Sequence, residues 1–321
     1  MAPAYLCSPP SSARTVCVMD ASGHLGSALV CSLLQRGYTV HAAAHNSDEL
    51  EQLRKLTSEK DKLRLFHYSD PLDYHNIVDA LRGCSGLFYS FEPPSEQPTY
   101  DEFMADLEVR AAHNVLEACA QTETMDKVVF TSSATAVIWR EQNQTHNETI
   151  DDDVDEKRWS DINFCKKFKL WHGLSKTLAE KTAWALAMDR GVNMVSINSG
   201  LLMCPDLTIK NPYLKGAAEM YKDGVFVTVD LRFLVNAHIC VFEDVSSYGR
   251  YLCFNRVINC NNDAHRLANM LLPPSVSSSP QAQCQSQRSW EDTGLYEQRI
   301  SNKKLSKLML DFDNGIQLDD H

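Results

Sequence analysis

Short apolar segments alternate with helix-length amphipathic stretches along the first 200 residues of this chain. The predicted strands are TVCVM (15–19), YTVHAAA (38–44), LRLFHY (63–68), GLFYS (86–90), KVVFTSS (127–133) and NMVSIN (193–198). Nearly continuous apolar strands, each followed by a helix, indicate a parallel sheet that is covered on both faces. We therefore expect an α/β fold with a doubly wound parallel sheet, in which ligands bind at the carboxyl ends of the strands.

The rhythm of strands and helices changes near residue 200. We expect residues 1–13, rich in Pro and Ser, to be disordered and residues 14–200 to form the doubly wound domain. In residues 201–321 the predicted strands and helices are shorter and less regularly spaced, which predicts mainly a smaller, discontinuous lobe. The Ser/Gln-rich stretch at 273–291 is predicted to be a loop within that lobe, and the segment SNKKLSKLML is predicted to form a short helix after it.

The composition indicates which kinds of partner and which cellular compartment to expect. The net charge is -11 and no dense Lys/Arg cluster occurs, which argues against nucleic acid as a partner. No apolar run approaches the roughly 20 residues that span a bilayer, and the first residues lack a signal-peptide pattern, so we expect a soluble, cytoplasmic protein without a membrane partner. The eleven cysteines show no C-x-x-C spacing, which favours reduced thiols and no metal site. The oligomeric state does not follow from the sequence.

A partial glycine motif follows the first strand. The stretch D-A-S-G-H-L-G has Gly23 and Gly26 where a dinucleotide-binding turn has its second and third glycines, with Asp20 at the place of the first. These glycines would let the backbone approach a pyrophosphate, beside the start of a helix at His24 and Leu25. Asp tolerates the left-handed turn, but an inward carboxylate about 5 Å from a phosphate would cost about 3 kcal/mol. A helix start in a domain that binds no nucleotide is the alternative.

The ends of the second and third strands carry candidate cofactor contacts. His45 lies where a basic residue often meets the 2′-phosphate of NADP, and no acidic residue takes the place that NAD favours, so we expect NADP or NAD with a slight preference for NADP. Asp70 follows the third strand, where it would accept a hydrogen bond from adenine or cap the next helix.

These features occur together with S-D-P-L-D-Y, R-G-C-S-G-L-F-Y-S, N-V-L-E-A-C, V-V-F-T-S-S, S-K-T-L-A-E-K and G-R-Y-L-C, in that order. The chain thus resembles the plant cinnamoyl-CoA reductases and dihydroflavonol reductases among the extended short-chain dehydrogenases/reductases, over about residues 14–312. More narrowly, it is similar to cinnamoyl-CoA reductase-like proteins that carry W-H-x-L-S-K. The resemblance implies an NAD(P)-binding Rossmann core at 14–200, a substrate lobe in 201–321, and reduction of a phenolic carbonyl or thioester in phenylpropanoid or defence metabolism.

The resemblance also implies a Ser-Tyr-Lys catalytic set. Its serine falls at Ser133, with Ser132 as the adjacent candidate, and its lysine at Lys176, where it would bond the nicotinamide ribose and lower the pKa of a proton donor. His172 occupies the position of the tyrosine. An imidazole can donate a proton, yet it reaches roughly 2 Å less far than a phenol, and a misplacement of about 1 Å can cost about a hundredfold in rate.

Structural interpretations of the same residues remain open. The serines could cap a strand end, Lys176 could be a solvated residue followed at i+4 by Glu180, and His172 could belong to a packed helix face, satisfied by the backbone or by the Ser133 hydroxyl. The segment 89–92, Y-S-F-E, is bulky and acidic near the expected nicotinamide. Two functional classes follow: an NAD(P)-dependent reductase, or a catalytically impaired relative that binds a nucleotide, a phenolic ligand or a partner protein.

Overall fold

The computed structural model describes residues 14–57, 59–68, 70–91, 93, 100–141, 153–271 and 295–319. The predicted disordered N-terminus (1–13) and the predicted loop (273–291) lie outside the described residues.

Strands and helices alternate as the sequence predicts. The strands are β1 (Thr15–Met19), β2 (Thr39–Ala44), β3 (Leu63–His67), β4 (Gly86–Tyr89), β5 (Lys127–Ser133), β6 (Met194–Ser199), β7 (Leu201–Met203), β8 (Val227–Asp230), β9 (Gly249–Cys253) and β10 (Arg256–Val257). The helices are α1 (His24–Gln35), α2 (Ser47–Leu56), α3 (Tyr74–Leu81), α4 (Glu102–Ala120), α5 (Thr135–Ile138), α6 (Ile162–Lys167), α7 (Trp171–Arg190), α8 (Ala217–Lys222), α9 (Leu231–Glu243), α10 (Asn261–Leu271) and α11 (Lys303–Asp319). Short 3-10 turns occur at Lys60–Lys62 and Pro212–Leu214.

The main sheet has seven strands in the order β3-β2-β1-β4-β5-β6-β9, and every pairing in it is parallel. The doubly wound parallel sheet is therefore confirmed. The chain reverses its direction of winding between β1 and β4, so a crevice opens outside their carboxyl ends, where such sheets bind ligands.

Alternate residues of β1 show how the sheet is covered on both faces. Val16 and Val18 belong to a core with α1 and α9, whereas Cys17 and Met19 belong to a core with α3, α4 and α7. All four side chains are almost completely buried, as a central parallel strand requires. This division decides which face a side chain at the carboxyl edge can reach.

The smaller lobe is interrupted by returns to the main sheet. A three-stranded sheet, β10-β8-β7, packs with α8 and α10 around a third apolar cluster. In contrast, β9 pairs with β6, and α9 and α11 pack against the main sheet. The apolar residues of β9 are buried in this position at the edge of the main sheet.

The helix that the pattern predicts from about residue 168 to 188 is observed as α7, which begins at Trp171. It is preceded by the short helix α6, which ends at Lys167. Lys169 has a φ of 53°, a left-handed conformation that ends a right-handed helix. Among the described helices, none is long and apolar enough to cross a membrane.

Candidate functional site

The glycine turn leads from β1 into a helix end that is open to an anion. Asp20 has the left-handed backbone expected of it, with φ 61°. A Cβ on Gly26 would lie 2.0 Å from the Asp20 carbonyl oxygen, so only glycine lets α1 pack this closely. Gly23 is the N-cap of α1 and provides no side-chain cap. The first helical hydrogen bond runs from the Ser27 amide to the Gly23 carbonyl oxygen. The amides of residues 24–26 therefore precede the helical hydrogen bonds and fit a pyrophosphate.

The Asp20 carboxylate is turned away from this helix end. Its Oδ1 accepts a hydrogen bond from the Tyr68 hydroxyl at 2.9 Å, and Tyr68 packs in the core on the α3 and α4 side of the sheet, opposite α1. The carboxylate is buried, at 5 % exposure. The phosphate repulsion estimated for an inward carboxylate therefore does not apply to this orientation.

His45 is half-buried beside Tyr68, with the two ring centroids 4.3 Å apart. Burial lowers the pKa of His45, so the imidazole is neutral near pH 7 and a weaker partner for a 2′-phosphate than a charged side chain.

Asp70 is exposed after β3, and its carboxylate accepts a hydrogen bond from the amide of Leu72 at 2.8 Å. The prediction that Asp70 caps α3 is wrong, because the N-cap is Asp73, three residues later along the same turn.

A cavity of about 170 Å³ lies at the carboxyl ends of β4, β5 and β6. Its lining includes Leu25 of α1, the strand-end residues Ser132 and Ser133, and His172 and Lys176 of α7. The predicted catalytic residues are thus brought together beside the helix that carries the glycine turn. The volume lies below the 300–1,000 Å³ typical of small-molecule pockets.

The structure distinguishes the two candidate serines. Ser132 donates a hydrogen bond to Glu180 at 2.8 Å, and this buried carboxylate also accepts from Ser196, Asn198 and Arg250. Ser132 is therefore committed to a structural network. The interpretation of Lys176 as followed at i+4 by Glu180 as its partner is wrong, because the Glu180 oxygens are occupied by these four donors.

Ser133 is linked to His172 through Thr135. The Thr135 Oγ1 lies 3.0 Å from Ser133 Oγ and 3.0 Å from His172 Nδ1, and its amide donates to Ser133 Oγ at 3.2 Å. The sequence interpretation pairs the imidazole with the backbone or with the Ser133 hydroxyl. Its hydrogen-bond partner is instead the hydroxyl of Thr135. If that hydroxyl donates to Nδ1, the neutral imidazole carries its proton on Nε2; if it donates to Ser133, the proton is on Nδ1.

His172 is held among aromatic rings. The ring centroids of Tyr100 and Tyr213 lie 5.3 and 6.1 Å from that of the imidazole. Burial, followed by the charge of Lys176, holds the pKa of His172 well below its usual range. The imidazole is therefore neutral at pH 7, as the sequence predicts, and has one N–H to donate.

Lys176 forms an ion pair across the α4 and α7 interface. Its Nζ lies 2.7 Å from Glu108 Oε1, and Glu108 Oε2 accepts hydrogen bonds from Tyr100 and Ser175. The interpretation of Lys176 as a solvated helix residue is wrong. Its charge is instead shared with a buried carboxylate next to the cavity.

Sequence reasoning missed Thr135, Glu108 and Tyr100. A signal for Glu108 exists in α4, because the residue interrupts the buried stripe of Met104, Ala111 and Val115, and a carboxylate on such a stripe needs a partner.

The prediction that the segment 89–92 places bulky and acidic side chains near the nicotinamide is partly wrong. Tyr89 points into the core on the α3 and α4 side, while Ser90 and Phe91 line the cavity, and Glu92 lies outside the described residues.

Comparisons with known proteins agree with this architecture. Residues 17–191 match the model of the 3-beta hydroxysteroid dehydrogenase/isomerase family. The chain is 38 % identical to cinnamoyl-CoA reductase 1 of Petunia hybrida, over 77 % of this chain and 74 % of the relative. It is 31 % identical to dihydroflavonol 4-reductase of Arabidopsis thaliana, over 96 % of this chain and 80 % of the relative.

Among solved structures, vestitone reductase from alfalfa aligns with a TM-score of 0.65 and 24 % identity, covering 92 % of this chain and 91 % of that one. A yeast methylglyoxal/isovaleraldehyde reductase complexed with NADPH aligns with a TM-score of 0.67 and 18 % identity, covering 92 % of each chain. These two likenesses show the fold. Together with the family match and the curated relatives, they establish that the chain belongs to the 3-beta hydroxysteroid dehydrogenase/isomerase family of extended short-chain dehydrogenases/reductases.

Proposed function

We propose that this protein is an NAD(P)-dependent reductase of the cinnamoyl-CoA reductase-like type, which reduces the carbonyl of a small phenolic aldehyde, ketone or thioester. The observation that carries the proposal is the chain of polar contacts from Ser133 through Thr135 to His172, which lies at the cavity beside Lys176. A hydroxyl and an imidazole on one wall of a cavity can polarise a carbonyl and supply a proton to its oxygen.

The residues around the cavity have separable roles in this proposal. When bound, a reduced nicotinamide would supply the hydride. The Ser133 hydroxyl would donate a hydrogen bond to the substrate oxygen. His172 would transfer its Nε2 proton to the same oxygen, and water would then return a proton to the ring, which restores the neutral imidazole. Thr135 would select that tautomer by donating its own proton to Nδ1. Lys176 would hold the cofactor ribose once its ammonium is shared between Glu108 and the ribose hydroxyls.

NADP is the cofactor that we favour. The amides at the start of α1 suit the pyrophosphate of either dinucleotide, and His45 lies where a 2′-phosphate would bind. Because burial keeps His45 neutral, we expect the preference for NADP over NAD to be modest. An acidic side chain that would favour NAD is absent from residues 44–47 at the end of β2.

A phenolic substrate is supported by the curated relatives, whose names include cinnamoyl-CoA reductase and dihydroflavonol 4-reductase. The cavity lining also includes the aromatic ring of Tyr213 and the apolar side chains of Leu201 and Leu202. Such a lining suits a planar ring next to the reacting carbonyl. We place the reaction in phenylpropanoid or related defence metabolism on the same grounds.

The test is NADPH oxidation in the presence of a cinnamoyl-CoA thioester or a phenolic aldehyde. We expect slow, substrate-dependent turnover by the wild type and a further fall of about a hundredfold or more in His172→Phe, because the donor is removed. His172→Tyr is expected to raise turnover, because a phenol reaches further toward the substrate. Equal turnover in the wild type, His172→Phe and His172→Tyr would exclude the imidazole as the donor.

A second function, a nucleotide-binding or ligand-binding protein without turnover, is favoured by one specific observation. Lys176 is already paired with Glu108, and this carboxylate opposes the effect by which the ammonium would lower the pKa of a proton donor. Binding of NADPH without consumption of any carbonyl substrate, in both the wild type and His172→Tyr, would favour this second function.

A further inference from the structure

Three potential metal ligands lie together beside the glycine turn. The side chains of His24, Cys204 and Asp206 place one ligand atom each within 4.8 Å of the other two. His24 is the first residue of α1, whereas Cys204 and Asp206 follow β7, and His24 and Asp206 are 182 positions apart in the sequence. Among the described residues this is the one group of three such side chains that meets that distance limit.

The three side chains are already in contact without a metal. His24 Nε2 lies 2.6 Å from Asp206 Oδ1, and the Cys204 thiol donates a hydrogen bond to the Asp206 carboxylate. Each contact is a hydrogen bond between two side chains. A divalent cation would take the place of that hydrogen bond and form one coordinate bond to each of the two side chains. The arrangement therefore presents a nitrogen, a sulfur and an oxygen to one point in space.

From this cluster we propose that the protein binds one zinc ion through His24, Cys204 and Asp206. An imidazole nitrogen, a thiolate and a carboxylate are the ligand types that zinc prefers, and three protein ligands leave a fourth position for water. A thiolate and a carboxylate together balance the double positive charge of the ion. The Cys204 thiol loses its proton to the solvent when the sulfur binds the metal.

The geometry requires only small movements. Ligand atoms bound tetrahedrally to zinc lie about 3.3–3.6 Å apart, which follows from metal–ligand distances of about 2.0–2.3 Å. The His24–Asp206 contact must therefore open by about 1 Å from its present distance. Both side chains are largely exposed, at 46 % and 70 %, so they can make this movement without repacking the core.

Zinc at this position would tie the start of α1 to the segment after β7. These segments belong to the main sheet and to the smaller lobe, and their neighbours Leu25 and Leu202 both line the cavity. The sequence predicts no metal because its cysteines lack close spacing, and only the fold brings Cys204 to a histidine so distant along the chain. The zinc site uses none of the proposed catalytic residues Ser133, His172 and Lys176, although His24 is also the first residue of the helix whose amides fit the pyrophosphate.

The experiment titrates the metal-free full chain with Co²⁺ and follows the near-ultraviolet charge-transfer absorption of a cobalt–thiolate bond. We expect one equivalent to produce this band and Zn²⁺ to abolish it by displacing cobalt, which binds such sites more weakly. The band should be lost in Cys204→Ser, and Asp206→Asn should weaken cobalt binding by at least about tenfold, which is the lower end of the loss expected when a side chain that supports a metal is removed.

Cys260→Ser is the matched control, because the Cys260 thiol also donates to a carboxylate, that of Asp263, at 3.3 Å. That variant should keep the full cobalt band. Absence of the band in the wild type at millimolar cobalt, or an undiminished band in folded Cys204→Ser, would overturn the proposal. Neither nucleotide nor turnover enters the measurement, so its failure leaves the proposed function intact.

Discussion

Lys176 and Glu108 form an ion pair at the junction of α7 and α4, with 2.7 Å between Nζ and Oε1 and side-chain exposures of 12 % and 2 %. Tyr100 and Ser175 donate to the other carboxylate oxygen, so the charge of Glu108 is fully satisfied. The lysine expected to serve a cofactor therefore also holds two helices of the core together. Its roles in stability and in the proposed reaction have to be separated by measurement.

We expect Lys176→Met to lower the free energy of unfolding by about 3–5 kcal/mol, because it leaves the Glu108 carboxylate buried without its cation. Chemical denaturation measures this change. The control is Asp106→Asn, which breaks an exposed pair with Arg110 on the same helix and should cost at most about 0.5 kcal/mol. Equal, small losses in both variants would mean that water replaces the ammonium beside Glu108.

The two serines at the end of β5 provide a second test. Ser133→Ala should lower turnover by about a hundredfold, since the removed hydroxyl is the one we assign to the substrate oxygen. Ser132→Ala should leave turnover near the wild-type value and cost about 1–3 kcal/mol of stability, because Glu180 loses a buried donor. Steady-state kinetics and denaturation of both variants check the assignment, and the reverse pattern would identify Ser132 as the reactive residue.

Much of this site follows from the sequence because it is local. Ser133 ends a strand and His172 and Lys176 lie one helical turn apart, so strand–helix alternation and short spacing are enough to group them. Glu108 and Thr135 are different, since their roles depend on which side chains meet across packed elements. The burial of Glu108 against α7 depends on helix packing, which local pattern leaves undefined.

The orientation of Asp20 shows the same limit. The left-handed backbone at this position follows from the turn pattern, whereas the direction of the carboxylate depends on Tyr68, which is 48 positions away. The position of β9 likewise depends on its pairing with β6 rather than on its own sequence. Local conformation is thus predictable here, and long-range side-chain partners are not.

Thr135→Val tests whether the threonine positions the imidazole. Loss of the hydroxyl removes the partner of His172 Nδ1 and should lower kcat by about tenfold to a hundredfold, with KM nearly unchanged, because donor placement rather than binding is affected. Thr135→Ser keeps a hydroxyl and should restore most of the activity. If the serine variant is as poor as the valine variant, packing of the threonine methyl group is what matters.

His238 gives the fold an acid-sensitive element. Its Nδ1 donates to the Leu234 carbonyl at 2.8 Å, its Nε2 lies 2.9 Å from Thr131 Oγ1, and burial lowers the pKa of His238 to about 4. An unfolded histidine has a pKa near 6.5, so between these values the unfolded chain binds a proton that the folded protein does not. The free energy of unfolding should therefore fall as the pH decreases from about 6.5 to 4, by up to about 1.4 kcal/mol per pH unit from this residue.

Urea denaturation at pH 7 and pH 5 measures this dependence. His238→Gln should show a smaller loss of stability between the two pH values than the wild type. The exposed His75, replaced by Gln, should leave the loss unchanged. An unaltered loss in His238→Gln would assign the acid sensitivity to other groups.

Calorimetric titration of the full chain with NADPH, and then with NADH, tests the central claim most directly. The open start of α1, the Asp20 carboxylate turned away from it toward Tyr68, and the cavity beside Lys176 predict measurable binding below millimolar concentration, with NADPH modestly tighter than NADH. No heat of binding from either dinucleotide at millimolar concentration would contradict the assignment of this protein as a nicotinamide-dependent reductase.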